Sequence, residues 1–217
     1  MPLRLPTGRA GRPWLVRRLA TARRGAEVLD QKRQALLRLE RRLAELLSEA
    51  EADWLEAARE AETWLARAAV IGGERALELA AFYSREPARI EIAWRRTLGL
   101  AYPAEAAVTH APAPDLSALG GSSALVYAGA AHRSALAAAA AFATTRLAHE
   151  RAAAELKATT RRLRAVERRW IPRHEEALAA LELALDEGER EEAARIRWIA
   201  RRQPAKRREH RVHAGTE

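Results

Sequence analysis

The chain has 217 residues, no cysteine and a formal net charge of +9. This excludes a disulfide framework and thiolate chemistry, and no apolar run reaches the roughly 18–20 residues that span a bilayer. Ala, Leu, Glu and Arg dominate, which is the composition of long helices and coiled coils.

The charge is segregated. Residues 1–42 hold 12 Arg/Lys against 3 Asp/Glu, and residues 195–217 hold 8 against 2, so the middle sums to −6. Basic ends of this kind suit nucleic acid or an acidic protein socket. Arginines interrupt the first 19 residues and leave no signal-peptide core, so a cytosolic protein is expected.

Pro2, Pro6, Gly8, Gly11 and Pro13 make residues 1–13 an irregular basic segment. Residues 14–72 form the first predicted helix. Leu15, Leu19, Ala22, Ala26, Leu29, Leu36, Leu39, Leu43, Leu46, Ala50, Ala57, Ala61, Trp64, Ala68 and Ile71 step mostly by three or four, the stripe of a coiled-coil seam. At 1.5 Å per residue this helix spans about 85 Å, too long for a compact domain, so the chain is expected to be a rod.

Gly72 and Gly73 weaken the helix, and residues 73–122 form a small central head with a linker. Within it, 76–82 can add one short helical piece. Ile90, Ile92 and Trp94 alternate with Glu91 and Ala93, a strand period of two. Leu98-Gly99-Leu100 turns the chain, Pro103 closes the hairpin, and 103–123 is linker. Trp94 is either a half-buried strand residue or a contact for a partner.

Ser122 or Ser123 can cap the second helix, residues 123–203. Leu125, Leu136, Ala143, Leu147, Leu156, Leu163, Val166, Trp170, His174, Leu178, Leu181 and Leu185 form its predicted apolar face. Pro172 removes one backbone hydrogen bond inside the helix and should kink it. Pro204 should end the helix, leaving 204–217 as a basic, disordered tail.

Antiparallel pairing with the ends level puts residue i opposite roughly 215 − i. Residues 17–42, with 9 basic and 3 acidic groups, then face 173–198, with 4 and 8. Residues 43–62, with 7 acidic groups and Arg59, face 153–172, with 6 basic and 2 acidic. Complementary signs of this kind select orientation and register.

No constellation for catalysis stands out, and the chain lacks the Gly-x-x-x-x-Gly-Lys-Ser/Thr phosphate loop. Gly120-Gly121-Ser122-Ser123 is a linker with a cap rather than a phosphate cradle, since no lysine follows. His210 and His213 are three apart, but they have no further ligand near in sequence and imply no metal.

Several local motifs together resemble the D subunit of the V-type and A-type rotary ATPases, the central rotor shaft. At the N-terminal end they are Pro6-Thr7, Leu15, Leu19, Arg24-Gly25, Leu29 and Lys32-Arg33. At the C-terminal end they are Thr160-Arg161-Arg162-Leu163, Ala165, Glu167, Ile171-Pro172-Arg173, and Glu189-Arg190-Glu191-Glu192 with Arg195. Leu98-Gly99-Leu100 with Pro103 resembles the family's central hairpin. Ala193-Ala194 replaces the family's aromatic or aliphatic pair.

The resemblance implies an all-α-dominated fold: a long antiparallel two-helix coiled coil with a small central head containing a short β-hairpin. It implies a non-catalytic central-stalk role, without cofactor, that couples ATP hydrolysis or synthesis to ion transport. Partners would be the catalytic and non-catalytic A and B subunits, the small F subunit of the stalk and the C (or d) adaptor on the membrane ring. The complex would be peripheral to the membrane. Arg17, Arg18, Arg24, Lys32, Arg33, Arg190 and Arg195 would contact the hexamer. Thr160, Arg161, Arg162, Glu167, Ile171, Pro172 and Arg173 form the helix motif. Ile90, Ile92, Trp94, Gly99 and Pro103 would face partners at the head. The alternative is a basic coiled coil that binds nucleic acid or tethers partners.

Overall fold

The structure, a computed structural model, describes residues 9–83, 86–112 and 122–213. Helix α1 runs Gly11–Tyr83, strands β1 and β2 run Arg89–Thr97 and Leu100–Thr109, and helix α2 runs Ser123–Ala165. A π-turn, Val166–Trp170, leads into helix α3, Ile171–His213. The chain is an antiparallel helical coiled coil with one β-hairpin. It divides into two units, one made of residues 1–29 with 161–217 and the other of residues 30–160.

Several boundaries differ from expectation. α1 begins at Gly11 and includes 76–82, but Gly73 interrupts it at φ 69° and ψ 173°, a conformation open to glycine. β2 extends to Thr109 through Pro103, which therefore does not close the hairpin. The pairing shifts there: Ala93 opposes Glu105 and Trp94 opposes Pro103, leaving Ala104 as the extra residue of a bulge. A bulge tolerates a residue without an N–H donor. Helix α3 continues past Pro204 to His213. The two linker glycines, Gly120 and Gly121, lie outside the described residues, as do the side chains of His210 and His213. Ser122 is the cap: its Oγ accepts from the Leu125 N–H at 3.3 Å.

The expected distortion at Pro172 takes the form of the π-turn. The Ile171 N–H donates to the Val166 carbonyl, five residues back. One widened turn moves the preceding carbonyls away from the proline ring, which would clash with the residue four back.

In the unit formed by the chain ends, Leu15, Leu19 and Ala26 of α1 are buried, with Leu163 of α2 and His174 of α3. Arg9, Arg12 and Arg23 reach Glu189, Glu182 and Glu175 at 3.2, 2.7 and 2.6 Å. The order of these pairs makes the helices antiparallel.

The unit of residues 30–160 has a different seam. The buried residues of α2 are mostly small: Ala124, Ala128, Ala131, Ala140, Thr144, Ala148, Ala152 and Thr159. The leucine face predicted for this helix is partly wrong, because Leu136 and Leu147 are exposed. Against them α1 buries Leu36 and Leu43 together with Ala61 and Ala68, and two aromatic pairs bridge the helices. Trp54 stacks on Phe142 at 5.1 Å, and Trp64 stacks on Tyr127 at 4.7 Å. Lys32 pairs with Glu155 at 2.7 Å, and Glu40 with His149 at 3.1 Å.

Orientation matches the charge-based expectation, but register does not. Partner numbers sum to between 187 and 198 across all these contacts, not 215. The slip is about 20 residues, roughly 30 Å of helix. Residues 17–29 then oppose residues near 164–176, and both stretches are net basic. Residues 43–62 oppose the alanine-rich, nearly neutral part of α2. Side-chain fit in the seam sets the register, since exposed charge pairs contribute only about 0–1 kcal/mol each.

The hairpin lies back along the coil. Tyr102 is 6% exposed and packs with Leu39, Leu43, Leu100, Ala148 and Ala152. Pro103 is fully buried. The Arg151 guanidinium donates to the Ala101 carbonyl at 3.2 Å and lies 5.0 Å over the Trp94 ring. The turn comes close to Lys32, whose Nζ would sit 4.0 Å from a Cβ built on Gly99. Both turn residues, Leu98 and Gly99, have positive φ, 52° and 77°, as tight hairpin turns require. Leucine there is strained by about 1–2 kcal/mol. Leu98→Asn should therefore stabilise the hairpin by about 0.5–1 kcal/mol, measured as slower amide exchange in β1 and β2; unchanged exchange would mean that the strain is absent.

Candidate functional site

Two surfaces collect the chemistry-bearing residues, one in each unit. In the first, the end of α3 is exposed on every face over 186–201, with Arg190 and Arg195 in it. Ile196, Trp198 and Ile199 are exposed there at 58%, 55% and 42%. On α1, Arg17 and Arg24 point outward. Arg17 Nε donates to the Pro13 carbonyl at 3.2 Å, and the Thr21 hydroxyl donates to the Arg17 carbonyl at 2.9 Å.

Arg18 lies over aromatic rings, with its guanidinium carbon 4.8 Å from the Trp14 ring centre and 5.8 Å from that of Trp170. Trp170 in turn stacks on the buried His174 at 3.6 Å, and His174 Nδ1 donates to the Trp170 carbonyl at 2.8 Å. Around Trp14, Arg17, Arg18, Thr21, Ala22 and Trp170 lies an open hollow of about 440 Å³.

Of Lys32 and Arg33, both expected as hexamer contacts, Lys32 reaches across to α2 and Arg33 pairs along its own helix. Lys32 pairs with Glu155, both about three-quarters buried, and Thr159 Oγ1 donates to the same carboxylate at 3.4 Å. Arg33 pairs with Asp30 at 2.7 Å. The Arg33 hydrogen bond holds the Asp30 carboxyl below its ordinary value against partial desolvation; the Gln34 hydrogen bond and the Arg33 charge add to the lowering. A depressed folded-state value contributes stability that is fully present above the unfolded pKa and fades as pH falls through the folded one.

The helix motif does structural work. Thr160 Oγ1 donates to the Leu156 carbonyl at 2.8 Å. Glu167 lies in the π-turn, Ile171 and Pro172 are half-buried just after it, and Arg161 and Arg173 are exposed. Arg162 is exposed as well.

The second surface is β1, whose residues are exposed on both faces up to Arg96. Ile90, Ile92 and Trp94 lie on one face at 49%, 45% and 54% exposure. Pro103 is fully buried and does not fit the expected role of partner contact, whereas Gly99 is exposed in the turn. Sequence reasoning missed Arg151 and Tyr102, which hold the hairpin down, and the Trp14–Arg18–Trp170 group. The spacing of Trp14 and Arg18, one helical turn apart, was the available signal for that group.

Among the described residues, no group of three or more His, Cys, Asp or Glu converges as for a metal, and no helix is long and apolar enough to cross a membrane.

The Lys32–Glu155 pair is the part of this region open to a direct test. Glu155→Gln leaves a largely buried ammonium without its charge partner and should cost about 1–3 kcal/mol in urea unfolding. Joint replacement by Lys32→Met and Glu155→Leu should recover most of that loss. Equal losses in both variants would show that the ion pair itself is a net stabiliser.

A search of curated proteins finds no match in sequence. A family model for the D subunit of ATP synthase matches residues 15–201, which takes in all of β1, β2, α2 and the π-turn and most of α1 and α3. The chain belongs to that family, the D subunits of the V/A-type rotary ATPases.

Proposed function

We propose that this chain is the shaft of a V/A-type rotary ATPase, coupling ATP hydrolysis or synthesis in a hexamer of A and B subunits to ion transport. Family membership supports a central-stalk role. The observation that carries the finer reading is that the two units bear unlike surfaces. The unit of the paired chain ends bears outward arginines and a helix end exposed on every face. The other unit bears a hairpin fastened to one side of the coil.

In this reading the paired ends, with Arg17, Arg18, Arg24, Arg190 and Arg195, sit within the hexamer. The hairpin side, through Ile90, Ile92 and Trp94, meets the small F subunit and the C (or d) adaptor on the membrane ring. The protein is then peripheral to the membrane. A two-helix axle has no threefold symmetry, so it presents different side chains to three chemically equivalent catalytic interfaces. Differential contact biases their conformations and hence their nucleotide affinities. Turning the axle exchanges the three roles, and no chemistry is required of the axle itself.

Reconstitution tests the reading. The purified chain should be captured stoichiometrically by an A–B hexamer, and the assembled complex should rotate with ATP; a chain that neither binds the hexamer nor turns in it would overturn the proposal. Separately, Ile92→Ser with Trp94→Ala should weaken retention of the F subunit by about tenfold or more. Helix content should stay unchanged, because both side chains are about half exposed. Wild-type retention would remove the hairpin face from that interface.

A further inference from the structure

The arginines of α1 near the chain ends fall into two groups. Arg12 and Arg23 reach glutamates on α3 at 2.7 and 2.6 Å. Between them, Arg17 and Arg18 belong to no ion pair among the described residues. Arg18 instead contacts two indoles. A cation–π contact of this kind uses the charge of the guanidinium and none of its five N–H donors as a conventional hydrogen bond. Trp14 comes from the turn before it on α1. Trp170 is the last residue of the π-turn and is braced from behind by His174. Such wide turns recur where a helix must re-aim a side chain.

The hollow over these residues has apolar walls in Trp14, Trp170 and Ala22. Its charged lining is two arginines, with no carboxylate. Those walls would hold the methylene stem of an acidic side chain while the guanidinium edge receives its two oxygens. Arginine binds carboxylates in this two-point manner, with short, charge-assisted bonds. A bare phosphate has no apolar part for those walls to cover.

We propose that Trp14, Arg18 and Trp170, with Arg17 at the rim, form a receptor for one carboxylate side chain, an Asp or Glu on a loop of the catalytic hexamer. The source of the carboxylate rests on the shaft reading, but the receptor itself does not.

The test uses the full chain with ¹⁵N-labelled tryptophan, following its six indole N–H resonances. Trp14 and Trp170 are assigned through their Phe variants. The probes are hexaglutamate, hexaglutamine, pyrophosphate and a six-nucleotide thymidine strand. Hexaglutamate should shift Trp14 and Trp170 saturably, and hexaglutamine should not. Arg18→Gln should weaken this response about tenfold or more. Arg18→Lys should do the same, because an ammonium keeps the charge and loses the planar fork. Arg201→Gln, which removes an equal charge elsewhere, should leave it unchanged. Helix content, read by circular dichroism, reports that the coil is intact in every variant.

Unchanged affinity in Arg18→Gln, shifts spread evenly over all six tryptophans, or tighter binding of pyrophosphate or the nucleotide strand would each overturn the receptor. Capture by the A–B hexamer is measured on the same proteins. Capture without a hexaglutamate response removes the receptor and leaves the shaft. A response without capture removes the shaft reading and keeps the receptor.

Discussion

Everything in the unit of residues 30–160 depends on the small side chains along α2. Ala140, Thr144, Ala148 and Ala152 recur every four residues on its buried face. An alanine contributes little transfer free energy by itself, since the gain scales with apolar area. Its value is the space it leaves. Into that space come Leu43 of α1 and Tyr102 of the hairpin, which share one cluster with Ala148 and Ala152. A larger residue at 148 or 152 would occupy the place of the tyrosine ring. The hairpin would then lose its anchor, and two strands alone are marginal in water. The position of the hairpin is therefore decided by residues outside it.

The same seam explains why charge misleads about register. Large groups on α1 must meet gaps or flat partners on the other helix, and only a few offsets allow this. Trp54 on Phe142 and Trp64 on Tyr127 are two such matches, several helical turns along α1 from Lys32–Glu155 and Glu40–His149. An aromatic pair adds about 0.5–1.5 kcal/mol beyond its buried area. A partly buried ion pair penalises any slip that leaves one member unpaired. Blocks of exposed charge act weakly over many offsets, and here they favoured the wrong one by about 20 residues.

Much of the architecture was legible in the sequence. Helix spacing on either side of a two-period stretch pointed to two long helical segments and a hairpin, and the Ser122 cap and Pro172 marked real local features. What was not legible has a common cause: burial here is set by partners. Choosing leucines for the seam of α2 failed at Leu136 and Leu147, because in an alanine-rich helix composition no longer separates inside from outside. Pro103 read as a stop because a proline disrupts a ladder; the bulge at Ala104 that accommodates it depends on pairing with β1. Lys32 read as a contact residue because its carboxylate partner, at position 155, becomes meaningful only once the helices are paired; Arg33 has its partner three residues back at Asp30, a local pair that was open to a sequence reading. The aromatic group around Arg18 needs a residue from each end of the chain, 152 positions apart between Arg18 and Trp170.

The observed register also makes an argument about function. In the unit of the chain ends, 17–29 and the stretch near 164–176 are both net basic, so pairing them raises like charge along one face. Repulsion of this kind opposes the compact state, and salt softens it without removing it. Glu175 answers part of it, at Arg23. Arg17 and Arg24 stay outward, and Arg18 is satisfied by rings that leave its charge in place. A fold that needed only its own stability would gain from a neutral face here, as it has in the alanine-rich part of α2. An uncompensated basic face on well-ordered helices is the arrangement that an acidic partner would complete.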